Sequence, residues 1–188
     1  MNEVIRAAAE LQAVCEAQRW RYCLIGGLAL QRWGEARETV DVDLTLLTGF
    51  GGEEPFVEIL LSHFEGRIEN AAQFALTRRV LLLRTKSGVG LDIALGGLPF
   101  EESAVSRSSM FAFPGDALIR TCSAEDLIVM KAFAARGKDW LDIEGIITRQ
   151  TGVLNWRYIR GHLEPLAELK GDLGILAELE KRRVAFER

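Results

Sequence analysis

Apolar residues at Val4, Ala8, Leu11 and Cys15 recur every three or four positions, and this spacing predicts an amphipathic helix over 3–19. Tyr22–Ile25 is a short apolar run closed by Gly26-Gly27, which predicts a buried strand; Leu28–Trp33 then predicts a short helix ended by Gly34. Between 40 and 47 the period shortens to two. Val40, Val42, Leu44 and Leu46 alternate with Asp41, Asp43 and Thr45, the pattern of a half-buried strand. Helical spacing returns over 54–64, after a loop around Gly49–Gly52. Arg79–Arg84 and Val89–Leu95 are apolar runs separated by Lys86-Ser87-Gly88, which predicts a hairpin. Residues 98–122 are mixed in character, with one further strand near 117–121. Ser123 followed by Glu125-Asp126 has the form of a helix N-cap with an acidic first turn. Helical periodicity then runs to about Arg183, with breaks near Gly137, Gly152 and Gly171.

The expected architecture is therefore α/β (α+β): a mixed sheet with flanking helices over 1–122, followed by a helical portion over 123–188 that packs on it. No Pro/Gly/Ser-rich linker divides the two, so one continuous unit is expected. Composition fits this. The chain has 188 residues, 48% hydrophobic and 27% charged, enough apolar material for a core and enough charge for a solvated surface. No apolar run reaches the ~18 residues that cross a bilayer, and the first twenty residues carry Glu and Arg where a secretory signal needs apolar ones. Three cysteines without metal-ligand spacing fit a reduced, cytoplasmic setting. The 23 basic and 27 acidic residues leave a formal charge of −4, which disfavours a strongly basic nucleic-acid binder.

Charge placement says more than charge total. Asp41 and Asp43 lie two apart on a strand and so project from one face. Carboxylates that close repel one another unless a cation lies between them, and hard Mg²⁺ takes oxygen ligands. Asp92, flanked by apolar residues in Val89-Gly90-Leu91-Asp92-Ile93-Ala94-Leu95, is a third carboxylate that is costly to bury without a partner. If its strand lies beside the first, three acids converge, as needed to hold two metal ions ~4 Å apart for in-line displacement at phosphorus. Acid-x-acid on a strand is ordinarily a solvated face, and Gly-Gly ordinarily a turn. The ordered series of strand, Gly-Gly, short helix, Asp-x-Asp strand and apolar-flanked Asp distinguishes this chain. Gly26 and Gly27, without side chains at a strand-to-helix turn, would let backbone N–H groups approach phosphate oxygens. No Gly-Lys-Ser/Thr follows, so this is not a P-loop.

These residues resemble the DNA polymerase beta-type nucleotidyltransferase superfamily. They are closest to the small bacterial abortive-infection-toxin-like nucleotidyltransferases of toxin–antitoxin systems. The resemblance rests on Gly26-Gly27-Leu28-Ala29-Leu30, then Arg37-Glu38-Thr39-Val40-Asp41-Val42-Asp43-Leu44, then the helix segment Lys131-Ala132-Phe133-Ala134-Ala135-Arg136-Gly137-Lys138-Asp139, and spans about 22–147. It implies a nucleotidyltransferase-type sheet and transfer of NMP from an NTP, ATP among them, to an acceptor hydroxyl with release of pyrophosphate. Asp41, Asp43 and Asp92 would be the catalytic metal ligands for two Mg²⁺ ions, with no organic cofactor. Gly26, Gly27, Arg37 and Lys131 would bind the nucleotide; Arg37 would either brace the Asp-x-Asp strand or contact phosphate. Asp139 or Asp142 would orient Arg136 or Lys131, or act near the acceptor. Polymerase-like members place Ser after the first Gly, where this chain has Gly27 and then Leu28, a departure that bears on substrate more than on fold. The acceptor would be RNA (notably a tRNA 3′ end), a protein side chain or a small molecule such as an aminoglycoside; an antitoxin protein is an expected partner, and no membrane is.

Two other readings compete: a catalytically silent nucleotide- or metal-binding regulator of the same fold, and an unrelated α/β domain. Retention of all three carboxylates favours the enzyme. Apart from the motif, Lys131 reads as a surface lysine with its stem along apolar neighbours. His63 and His162 read as packing or surface residues, the four tryptophans as core or its edges, and Lys181-Arg182-Arg183 as a solvated helix face.

Overall fold

Leucines and isoleucines on one face of a sheet organise the first half of the molecule. In this computed structural model, which describes residues 2–187, the chain begins with helix α1 (Glu3–Ala17), strand β1 (Tyr22–Leu24), helix α2 (Gly26–Trp33) and strand β2 (Asp41–Leu47). Next come α3 (Glu54–His63), β3 (Glu65–Gly66), α4 (Ala71–Arg78), β4 (Val80–Arg84) and β5 (Gly90–Gly96). They are followed by α5 (Pro99–Ser106), β6 (Ser109–Phe113) and β7 (Ala117–Thr121). Four helices complete the chain: α6 (Ala124–Ala134), α7 (Gly137–Arg149), α8 (Trp156–Lys170) and α9 (Gly174–Phe186). The mixed α/β class expected from the sequence is the class observed.

The strands form one mixed sheet in the order β3-β4-β5-β2-β1-β7-β6. β2 and β5 are parallel neighbours, while β4 and β5 form the expected antiparallel hairpin. Alternation decides which face is core. Val42, Leu44 and Leu46 of β2, Leu91, Ile93 and Leu95 of β5, and Leu81 and Leu83 of β4 are buried in one cluster with residues of α1, α3 and α4. Burying each such side chain contributes about 1.5–3 kcal/mol. The intervening residues of β2 and β5, including Asp41, Asp43, Gly90 and Asp92, therefore belong to the opposite face. Cys15, Cys23 and Cys122 are buried, and burial pushes the Cys15 thiol up to about 12. No helix among the described residues is long and apolar enough to cross a membrane.

Contacts group the chain into two compact units, Met1–Leu28 with Glu38–Cys122, and Ala29–Arg37 with Ser123–Arg188. The first holds the whole sheet. In the second, α6 starts as expected at Ser123, whose hydroxyl accepts from the Asp126 N–H. Gly34 fits there because a Cβ would stand 2.7 Å from Leu30 and 2.9 Å from Ile146.

Local differences from the sequence pattern have physical causes. Arg79 does not open β4: it is the left-handed cap of α4, at φ 57°, and its guanidinium bonds the carbonyls of Gly49 and Leu95 and the Glu53 carboxylate. Helix α4 escapes periodicity because its buried face is only Ala71 and Ala75. α5 is set by Pro99 in its first turn and by Glu101, whose carboxylate accepts from the N–H groups of Gly97 and Leu98, both at 2.8 Å. Lys181-Arg182-Arg183 is not a solvated face throughout. Arg182 is 17% exposed, bonds Glu144 and Glu178, and stacks on Trp140.

Candidate active site

The site of the first unit is built by strand register. Asp43 lies directly across from Asp92, and Asp41 across from Gly90, so all three acids belong to the face opposite the core. All three are half-buried. The Thr39 hydroxyl donates to the Asp41 carboxylate (3.3 Å) and to the Asp41 carbonyl (3.2 Å), fixing the entry to β2.

Gly26 and Gly27 open α2 and meet this acidic strand directly. Gly26 has φ +60°, and a Cβ on it would stand 1.9 Å from Oδ2 of Asp43. On Gly27 a Cβ would stand 2.4 Å from Oγ1 of Thr39. The glycine pair thus makes room for side chains of the protein's own Asp-x-Asp segment. This requirement is separate from any approach of phosphate, and only the tertiary structure reveals it.

Asp92 is held by a residue that sequence pattern does not single out. Arg67, just after β3, places Nη2 2.5 Å from Asp92 Oδ1, with both side chains about one-third exposed. Among the described residues no three His, Cys, Asp or Glu side chains stand close enough as placed to hold a metal ion. The backbone register nevertheless gathers three hard oxygen donors, two on one strand and one at the same level of the next. That donor set suits Mg²⁺, with Arg67 occupying one carboxylate.

The second unit contains a separate polar chain. Lys131 is 6% exposed, not a surface lysine, and its Nζ donates to Asp142 Oδ2 at 2.6 Å and lies 3.7 Å from Asp139 Oδ1. Arg37 grips the same Asp142 with both arms of its fork, at 3.0 and 3.1 Å. Arg136 grips Asp139 at 2.6 and 3.1 Å. Burial alone would raise the pKa of Asp142, but hydrogen bonds from Arg37 and Lys131 and their charges hold it below the usual carboxylate value. Lys131 and Asp142, eleven residues apart on α6 and α7, meet because both elements bury these groups together.

Of the residues singled out in sequence, the structure therefore gathers Asp41, Asp43, Asp92, Gly26 and Gly27 in the first unit. It gathers Arg37, Lys131, Arg136, Asp139 and Asp142 in the second. Sequence reading missed Arg67, Thr39 as a bonding partner, and Gly90 as the level of Asp41. Arg67 lies between α3 and α4, in a stretch without period, and only the pairing of β3, β4 and β5 reveals it.

A mixed sheet with Gly-Gly at a strand-to-helix turn and acids at one level of two parallel strands defines a nucleotidyltransferase-type protein. The family model described as nucleotidyl transferase AbiEii toxin, type IV toxin–antitoxin system, matches residues 11–183, and the chain belongs to that family of transferases. Among solved structures, an antigenic nucleotidyltransferase-like protein from Paracoccidioides brasiliensis is similar at 17% identity and a TM-score of 0.55, over 95% of this chain and 92% of that one. The antibiotic-resistance factor ANT(2'')-Ia is similar at 16% identity and a TM-score of 0.46, over 97% and 90%. The lincosamide antibiotic adenylyltransferase LnuA, in its lincomycin-bound form, is similar at 16% identity and a TM-score of 0.45, over 78% and 96%. A search of curated protein sequences found no match.

Proposed function

We propose that this nucleotidyltransferase moves an NMP group from an NTP to an acceptor hydroxyl, using Asp41, Asp43 and Asp92 with Mg²⁺, and that it acts as the toxin of a toxin–antitoxin pair. The observation that carries the chemistry is the register of Asp43 with Asp92, beside Asp41 on the same face. Bound Mg²⁺ would supply positive charge to the phosphate oxygens and to the departing pyrophosphate. Asp41 and Asp43 hold that charge from one strand, and Asp92 accepts the acceptor's proton as its oxygen attacks the α-phosphorus. Backbone N–H groups of Gly26 and Gly27 take β- and γ-phosphate oxygens at the start of α2. Arg37 and Lys131 are nucleotide-binding residues in this reading, with Asp142 setting their orientation. Asp139 does the same for Arg136.

The toxin role is supported by the family, and the antitoxin would be a protein partner. Acceptors follow from the chemistry of an attacking hydroxyl: RNA, a protein side chain or a small molecule. The test incubates the protein with each labelled NTP, Mg²⁺ and total RNA, alongside Asp43→Asn. Label transferred by wild type and not by the variant supports the reading. Equal transfer by both removes Asp43 from the chemistry. Label absent from RNA but present on protein or on an added aminoglycoside reassigns the acceptor. A wild type that binds NTP but transfers nothing to any acceptor favours the regulatory alternative.

A further inference from the structure

Two rows of residues cross the acidic face, and both contain an arginine. The Arg67 N–H donates to the Leu82 carbonyl at 2.9 Å, Leu82 is level with Asp92, and Asp92 is level with Asp43. One row therefore runs from Arg67, just after β3, through Leu82 of β4 and Asp92 of β5 to Asp43 of β2. The neighbouring row runs Glu65, Arg84, Gly90, Asp41.

The two arginines are engaged differently. Arg84 binds Glu65 with both arms, at 3.0 and 2.5 Å, so its charge is met by the adjacent acid of its own row. Arg67 instead reaches over β4 to β5. Its Nη2 lies 2.5 Å from Asp92 Oδ1, and its Nη1 lies where a Cβ on Gly90 would come within 2.6 Å. That same Cβ would stand 3.6 Å from the Cβ of Asp41. Gly90 is thus the seat of a guanidinium set against the acidic face, beside Asp41 and on Asp92.

We propose that Arg67 is the exchangeable counter-cation of this site. It neutralises Asp92 until a divalent ion arrives, then releases the carboxylate and binds phosphate oxygens of the nucleotide. The inference rests on the nucleotidyltransferase reading of the three acids. Two physical points support the exchange. Unscreened acids on one face would destabilise the protein before metal binds, and a positive side chain that can leave offsets this without blocking the metal. A one-third exposed ion pair is weak enough to break, and a planar guanidinium released there matches phosphate with its two-armed geometry.

Arg67 and a divalent ion then compete for Asp92, so removing Arg67 has opposite effects on two ligands. Mn²⁺ binding, followed by the electron paramagnetic resonance of the free ion, should tighten about threefold to tenfold in Arg67→Met without nucleotide. Binding of a non-hydrolysable NTP analogue with Mn²⁺ should weaken in the same variant. Gly90→Ala supplies the control. Its Cβ crowds the end of the flexible Arg67 side chain and only reaches ordinary contact with the Cβ of Asp41, at 3.6 Å, so it unseats the guanidinium while keeping the charge; it should tighten Mn²⁺ and retain analogue binding. Circular dichroism melts confirm the fold of both, and Gly90→Ala carries the test if Arg67→Met does not fold. Mn²⁺ binding no tighter than wild type in the folded variants overturns the exchange while leaving the nucleotidyltransferase reading intact. If neither wild type nor variants bind Mn²⁺ or the analogue, that reading fails and the exchange fails with it.

Discussion

Asp43 of β2 and Asp92 of β5 occupy the same level of two parallel strands, on the face turned away from the leucine-rich core. Residues paired this way are held by backbone geometry, so neither acid can leave the face without a shift of register that would also turn Leu44 and Ile93 out of the core. The site is thus fixed by the same alternation that makes the fold. Its function and its stability can be separated by mutation, because the acids contribute charge and the leucines contribute burial.

Asp41→Asn and Asp43→Asn should each lower NMP transfer at least about a hundredfold, the scale of losing one electrostatic contributor to a phosphoryl transition state. Folding should be little affected, within about 0.5 kcal/mol for half-exposed polar positions. Paired transfer assays and urea melts check this. A variant that keeps activity, or one that loses it only by unfolding, contradicts the assignment.

Gly26→Ala should impair activity through Asp43. The new Cβ has no room beside Oδ2 of Asp43, at 1.9 Å, and φ +60° strains any residue other than glycine, a cost of about 1–3 kcal/mol. Asp43 is the softer part and should move, so divalent-ion affinity should fall together with stability. Mn²⁺ titration and thermal melting of the same preparation measure both. Gly49→Ala, at φ +72° with nothing within 4 Å, provides the comparison: strain without displacement of Asp43, and so no loss of Mn²⁺ affinity.

Much of this was legible in the sequence because two periods carry it. Alternation over 40–47 marked β2 and put Asp41 and Asp43 on one face, and the apolar run around Asp92 marked its neighbour. Pairing was not legible. That β2 lies parallel to β5, and that Arg67 falls level with Asp92, depends on a loop, two helices and three strands agreeing on register. Lys131 is a second instance. Its surroundings on α6 read as a surface lysine along apolar neighbours, because a buried cation is tolerable only with a carboxylate supplied by another helix. Edge strand β6 carries Met110 and Phe111 in exposed positions and no clean alternation, so local pattern could not mark it.

Lys131→Met should be strongly destabilising. Asp142 would keep Arg37, which is 43% exposed, but lose the buried partner at 2.6 Å. Breaking one side of a buried pair costs about 3–5 kcal/mol. Lys131→Met combined with Asp142→Leu removes both charges and should recover part of that loss. Urea unfolding of the two single variants and the double variant gives the coupling directly. Additive losses would show that the two groups do not depend on one another.

The pH dependence of the same carboxylate has a definite sign. Desolvation would raise the pKa of Asp142, but Arg37 and Lys131 outweigh it, so the folded value lies below the unfolded one, which is about 3.9. A depressed acid contributes stability that is complete above its unfolded pKa and is lost as pH falls toward the folded pKa. Asp142→Asn lacks this charge at every pH. It should therefore be less stable than wild type at pH 7, and the difference should shrink as pH falls below about 4, where Asp142 of the unfolded wild-type chain takes up its proton while the folded carboxylate still holds its charge. Urea midpoints for both proteins, measured from pH 7 to pH 3, test the prediction. A gap that stays constant over that range would mean that Asp142 is not held below its ordinary pKa, and that its bonds to Lys131 and Arg37 matter for packing rather than for charge.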